Sequence, residues 1–122
     1  RDRWREMARA QVAFYGSTSS YSFLFDQIGR PAIPGRLREL QRTGDFAAMT
    51  ALVDDELLSE FTVDGEWRTI ADAVMAKYDG IATRVVDYFG ASAWLTEPSR
   101  LLRWGAVASD IRSRTASPGT QR

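Results

Sequence analysis

Thr83-Arg84-Val85-Val86-Asp87-Tyr88-Phe89 is a β-branched and aromatic run of strand length set between Gly80 and Gly90, and such a run predicts a β-strand. A second, shorter strand is expected at Phe61-Thr62-Val63, closed by a turn at Asp64-Gly65. Between the two, Trp67, Ile70, Ala71, Val74, Met75 and Tyr78 keep the spacing of an amphipathic helix that ends at Asp79-Gly80. Leu101, Trp104, Ala108 and Ile111 set a last helix. Strand, helix, strand, helix is the order of a parallel α/β structure, in which each helix crosses between the strands it joins. Two strands cannot make a parallel sheet buried on both faces, and a closed eight-stranded α/β barrel takes about 250 residues. The expected fold class is therefore α/β, with about two short parallel strands here and the rest of the sheet upstream. The opening at Arg1, without Met and inside what reads as a polar helix face, fits the same expectation of a larger enzyme's tail.

The first half of the chain is helical by pattern. Trp4, Met7, Ala8, Val12 and Tyr15 share one face while Arg1, Arg5, Glu6 and Arg9 take the other, which predicts a helix over 2–15 that Gly16 ends. Ser17 to Ser20 can bond to nearby backbone and cap a second helix carrying Tyr21, Leu24, Phe25 and Ile28. The prolines and glycines of Gly29-Arg30-Pro31-Ala32-Ile33-Pro34-Gly35 interrupt it. A short helix is expected over Arg36–Arg42, stopped near Thr43-Gly44. Asp45 then caps a longer one on which Phe46, Met49, Leu52, Val53 and Leu57 keep a helical period to about Ser59.

Composition excludes more than it selects. Sixteen basic and sixteen acidic residues leave no net charge, so nothing favours a nucleic acid or an anionic membrane as partner. The absence of Cys and His removes zinc sites, thiol nucleophiles, disulfides and imidazole bases from this stretch, and no metal is expected. No apolar run approaches the ~20 residues that span a bilayer, and no signal-peptide pattern opens the chain, so a cytoplasmic setting is expected. The hydrophobic share of 44% with 26% charged residues is that of a globular chain.

Three segments carry a resemblance: Ala8-Arg9-Ala10-Gln11-Val12-Ala13-Phe14-Tyr15-Gly16-Ser17-Thr18-Ser19-Ser20-Tyr21; Gly44-Asp45-Phe46 with Met49; and Asp54-Asp55-Glu56-Leu57-Leu58 running into Phe61-Thr62-Val63-Asp64-Gly65-Glu66. Together they resemble the carboxyl-terminal part of luciferase-like monooxygenases, in particular the actinobacterial branch that depends on the deazaflavin coenzyme F420. The chain departs from that pattern at Gly65-Glu66-Trp67-Arg68, where relatives often have Gly-x-Pro-Glu. The resemblance implies a (β/α)8 barrel. Residues 1–112 would then be its carboxyl-terminal portion, 16–59 a helical insertion near the barrel mouth, and 113–122 a disordered tail. It further implies hydride transfer between coenzyme F420, or alternatively FMN, and a small organic substrate, with the cofactor performing the electronic step. Most cofactor contacts and the catalytic residues would lie upstream, leaving this segment inactive alone. The oligomeric state stays open, a homo-oligomer among the options.

The candidate functional surfaces are then the Asp64-Gly65 turn, the Gly90-Ala91-Ser92 loop and the Tyr15–Tyr21 segment. Tyr15, Ser17, Thr18 and Tyr21 are the candidate substrate-binding residues, since hydroxyls orient a ligand without adding charge. The same residues also read as a Ser/Thr cap with tyrosines packed below, and local chemistry favours that reading. Asp54-Asp55-Glu56 reads as a solvated helix face, because sequential neighbours on a helix diverge and cannot form an acid/base dyad. Trp67, Trp94 and Trp104 read as packing. A helix following Asp64-Gly65 could help an anion, although Asp64 would repel it. A free-standing, mainly helical binding module without catalysis is the alternative.

Overall fold

The computed structural model describes residues 2–86 and 97–115. The chain separates into two compact units, Arg1–Thr62 and Val63–Arg122. Among the described residues there is no strand and no sheet, which overturns the expected α/β class and barrel portion.

The first unit is a set of short helices around one core. Helix α1 (Asp2–Ser17) is followed by a single 3-10 turn (Ser19–Tyr21) and then by α2 (Ser22–Gln27), α3 (Ile33–Thr43), α4 (Phe46–Ala51) and α5 (Asp55–Phe61). Helix α1 packs on α3, α4 and α5, so it forms the spine of the unit. Ala13, Phe25, Leu37, Met49, Val53, Leu57 and Leu58 make the core, each 3% exposed or less. Burial of these side chains supplies most of the unit's stability, since none of helices α2 to α5 reaches the ~12–15 residues that hold a helix in isolation.

Local signals set where these helices start and stop. After both α2 and α3 a glycine with positive φ, Gly29 (72°) and Gly44 (76°), turns the chain. At the first, Arg30 N–H donates to Phe25 O (2.7 Å) and Gly29 N–H to Asp26 O (3.1 Å). At the second, Asp45 N–H donates to Leu40 O (3.0 Å) and Gly44 N–H to Gln41 O (3.1 Å), in each case the paired bonds of a Schellman ending. Helix α3 starts at Ile33, earlier than the expected Arg36, because Pro34 is tolerated in a first turn that has no carbonyl to bond its nitrogen to. Asp45 caps α4, its Oδ1 accepting from Ala48 N–H (3.0 Å). The single helix expected from Asp45 to about Ser59 is two helices, because Asp54 Oδ1 accepts from Leu57 N–H (2.7 Å) and starts α5 anew. Replacing Asp54 with Ala is expected to cost about 1 kcal/mol, the usual worth of an N-cap, measured as faster amide exchange across α5.

The two expected strands fail for different reasons. Phe61 is the last residue of α5, its ring 5.2 Å from that of Phe25, and Thr62 Oγ1 donates to Leu58 O (2.8 Å). Tertiary packing thus keeps Phe61 helical, and Thr62 and Val63 are irregular chain. At Thr83–Val86 the backbone bends and then runs without regular structure, with Val85 and Val86 55% and 70% exposed. A β-branched run becomes a strand only when a neighbouring strand takes up its backbone groups. Asp87, Tyr88 and Phe89 lie outside the described residues.

In the second unit, α6 (Ile70–Tyr78) packs on α7 (Ser99–Thr115). Ile70, Ala71 and Val107 are buried, with Val63, Trp67, Val74, Trp104 and Ile111 half-buried around them. The apolar stripe from Trp67 to Tyr78 is present, but Trp67 lies in the turn that precedes the helix proper. Helix α7 continues to Thr115, three residues into the segment expected as a tail, with Arg114 held by Asp72 and Asp110.

Candidate functional site

The end of α1 and the 3-10 turn bring Tyr15 and Tyr21 together. Their rings meet edge to face, 5.5 Å between centroids at 87°, and Phe14 meets Tyr15 in the same manner at 5.6 Å and 75°. Both tyrosines are 40% exposed and Phe14 56%, so this is an aromatic surface rather than a buried pocket. Edge-to-face pairing fixes the two rings against each other, and each carries a hydroxyl able to donate to or accept from a ligand.

Ser17 and Thr18 are spent differently. Ser17 is buried, and its Oγ donates to Phe14 O (2.7 Å); Thr18 Oγ1 donates to the same carbonyl (3.4 Å). Both hydroxyls therefore serve the last turn of α1, whose carbonyls lack helical partners. Of the four residues picked from the sequence, the structure pairs the two tyrosine rings and turns the two small hydroxyls onto backbone. Gly16 is buried beneath them and lies inside α1 instead of ending it.

Of the three neighbours Asp54, Asp55 and Glu56, Asp55 diverges from the other two, whereas Asp54 and Glu56 converge on Arg30. Asp54 caps α5 and lies 3.6 Å from Arg30, Asp55 is paired with Arg5 (2.8 Å) and Arg9, and Glu56 is paired with Arg30. The Arg5 hydrogen bond, followed by that of Arg9, holds the Asp55 carboxyl below the ordinary aspartate range. A depressed carboxyl stabilises the fold above its unfolded value of about 3.9, and that stabilisation disappears as pH falls through the lower folded value. Asp55 is itself exposed, so the effect is expected to be small and to fade with salt. Acid titrations of the unaltered chain and of Asp55→Asn, at low and high ionic strength, measure it.

A shallow groove of about 630 Å³ runs past Glu6, Arg9, Thr50, Val53, Asp54 and Asp55. Its charged groups are already paired, Arg9 with Asp55, with Glu6 and with the Val53 carbonyl. Among the described residues no group of three or more acidic side chains is placed to hold a metal ion. The Asp64-Gly65 turn does not open α6: the segment Glu66–Thr69 intervenes, with Thr69 and Ile70 N–H bonded to Glu66 O. Gly90, Ala91, Ser92 and Trp94 lie outside the described residues.

Arg103 escaped sequence reasoning. Its guanidinium lies 5.7 Å from the Trp67 ring centroid, and the Trp67 ring meets Trp104 edge to face at 5.2 Å and 80°. Thirty-odd residues separate these partners in the chain, and no spacing marks their encounter.

Two similar proteins are the uncharacterized protein Rv1360 of Mycobacterium tuberculosis and the uncharacterized protein Mb1395 of Mycobacterium bovis. Each is 39% identical over 85 residues, which cover 70% of this chain and 25% of the relative. The chain thus corresponds to about a quarter of the length of these relatives. No protein-family model matches the chain, and no solved structure matches it.

Proposed function

We propose that this chain is a helical segment of an oxidoreductase of the luciferase-like monooxygenase type, which transfers hydride between coenzyme F420, or alternatively FMN, and a small organic substrate. The observation that carries this reading is the run from Ala8 to Tyr21 with Gly44-Asp45-Phe46 and Asp54–Glu66, which resembles that family over most of the described chain. The mycobacterial relatives support it by length: they carry about three-quarters of their sequence outside the matched part, where cofactor contacts and catalytic groups would lie. In this reading Tyr15 and Tyr21 contribute a substrate-facing aromatic surface, and Ser17 and Thr18 hold the turn that presents it. A cytoplasmic setting belongs to the same proposal; among the described residues no helix is long and apolar enough to cross a membrane.

The test uses the full-length Mycobacterium tuberculosis relative beside this 122-residue chain. The relative is expected to bind F420 or FMN, seen as a shift of the cofactor's visible absorbance, and this chain alone is expected to bind neither. Binding of neither cofactor by the full-length protein overturns the proposal. The alternative, a helical binding module without catalysis, draws on the closed core of Arg1–Thr62. That outcome is indicated if the full-length relative binds no cofactor while Arg1–Thr62 behaves as a stable monomer.

A further inference from the structure

The unit Val63–Arg122 contains a recess of about 290 Å³ lined by Trp67, Ala71, Arg103, Ala106, Val107 and Asp110. Arg103 stands at its edge against the Trp67 ring. Among the described residues the Arg103 side chain makes no hydrogen bond or ion pair. On the same helix Arg100 is engaged with Glu97 and Arg114 with Asp72 and Asp110, while the Arg112 side chain is also without such a bond but does not line the recess. A guanidinium held over an aromatic face keeps its N–H edge free, and that edge matches the two oxygens of a carboxylate.

The rest of the recess sets what kind of carboxylate it takes. Trp67 is half-buried and braced by Trp104, so its ring is a fixed wall. Ala71, Ala106 and Val107 form a small apolar floor. Asp110 is the acidic lining residue, but Arg114 Nε and Nη2 donate to its two oxygens (2.9 and 2.7 Å), which offsets its charge without using Arg103. The volume lies just below the usual range for small-molecule sites and leaves room for a one-ring ligand.

We propose that this recess binds a small aromatic carboxylate, the carboxylate on the Arg103 guanidinium and the ring against the Trp67 indole. The site is independent of the redox reading, since it uses none of the Tyr15–Tyr21 surface.

Benzoate tests it, titrated into the ¹⁵N-labelled 122-residue chain while the indole N–H resonance of Trp67, assigned through Trp67→Phe, is followed. Benzoate is expected to shift that resonance saturably with a Kd on the order of 1 mM, as a ligand of so few atoms allows. Acetate, with charge and no ring, and benzyl alcohol, with ring and no charge, are expected to bind at least tenfold more weakly. Arg103→Gln is expected to weaken benzoate at least tenfold, and Arg103→Lys less. A shift that never saturates, equal responses to benzoate and benzyl alcohol, or an unchanged Kd in Arg103→Gln with the Trp67–Trp104 contact intact would overturn the proposal. If Arg103→Gln loses that contact, the comparison of the three ligands on the unaltered chain decides alone.

Discussion

Leu37→Ala is expected to lower the stability of Arg1–Thr62 by about 3 kcal/mol, within the range for emptying a packed leucine site. Leu37 is the most completely buried side chain of the core, at 0% exposure, and it lies on α3 against α1. Its loss removes apolar burial and leaves a cavity where short helices have little else to hold them. Leu37 Cδ1 packs over Gly16, which has no side chain to move into the space left behind, so relaxation is limited. Native-state amide exchange in α1 and α3 reports the change without interference from the second unit. A loss below about 1 kcal/mol would show that Leu37 is not a packed core residue.

Gly16→Val is expected to be about as damaging, near 3 kcal/mol, because overpacking at a closed contact costs as much as a void. A Cβ on Gly16 would lie 2.6 Å from Phe25 Cζ and 2.7 Å from Leu37 Cδ1, closer than carbon atoms approach. Both neighbours are themselves buried, at 2% and 0% exposure, so neither ring nor methyl can swing clear. Gly16→Ala carries the same clash with one carbon, partly offset by the ~1 kcal/mol that alanine gains over glycine in a helix. The two positions are coupled: Gly16→Ala is expected to cost less when Leu37 is already Ala, since Cδ1 is gone. Additive losses in that double-mutant cycle would show that the two side chains do not compete for the same space.

Much of the helical unit was legible in advance because its signals are local. The extent of the first helix, the stop at Gly44 and the cap at Asp45 are each set within one or two turns of backbone. On that first helix, however, the face expected to pack is not the one most buried: Trp4, Met7 and Tyr15 are exposed, while Ala13, Gly16 and Ser17 are buried. Where the reading went astray, a distant partner decided. Gly16 looked like a helix end, yet its role is to admit Phe25 and Leu37 from two other helices. Phe61 looked like a strand start, yet its contact with Phe25 keeps it on α5. The Asp45–Ser59 period was sound, but Asp54 looked like any helix-face acid until its bond to Leu57 N–H revealed a new start. The candidate site shows the same division. Tyr15 and Tyr21 are joined by a single turn and could be paired from sequence, whereas Arg103 meets Trp67 only through the packing of α6 on α7.

From the sequence alone came the helical character of most of the chain, its balanced charge and its lack of thiol and imidazole chemistry, because composition and periodicity act on each residue without reference to distant ones. Only the tertiary structure decided that Thr83–Val86 is not a strand and that the α/β order does not hold. A strand is defined by hydrogen bonds to a neighbour far along the chain, and β-branched residues state a preference that goes unmet when no neighbour is there.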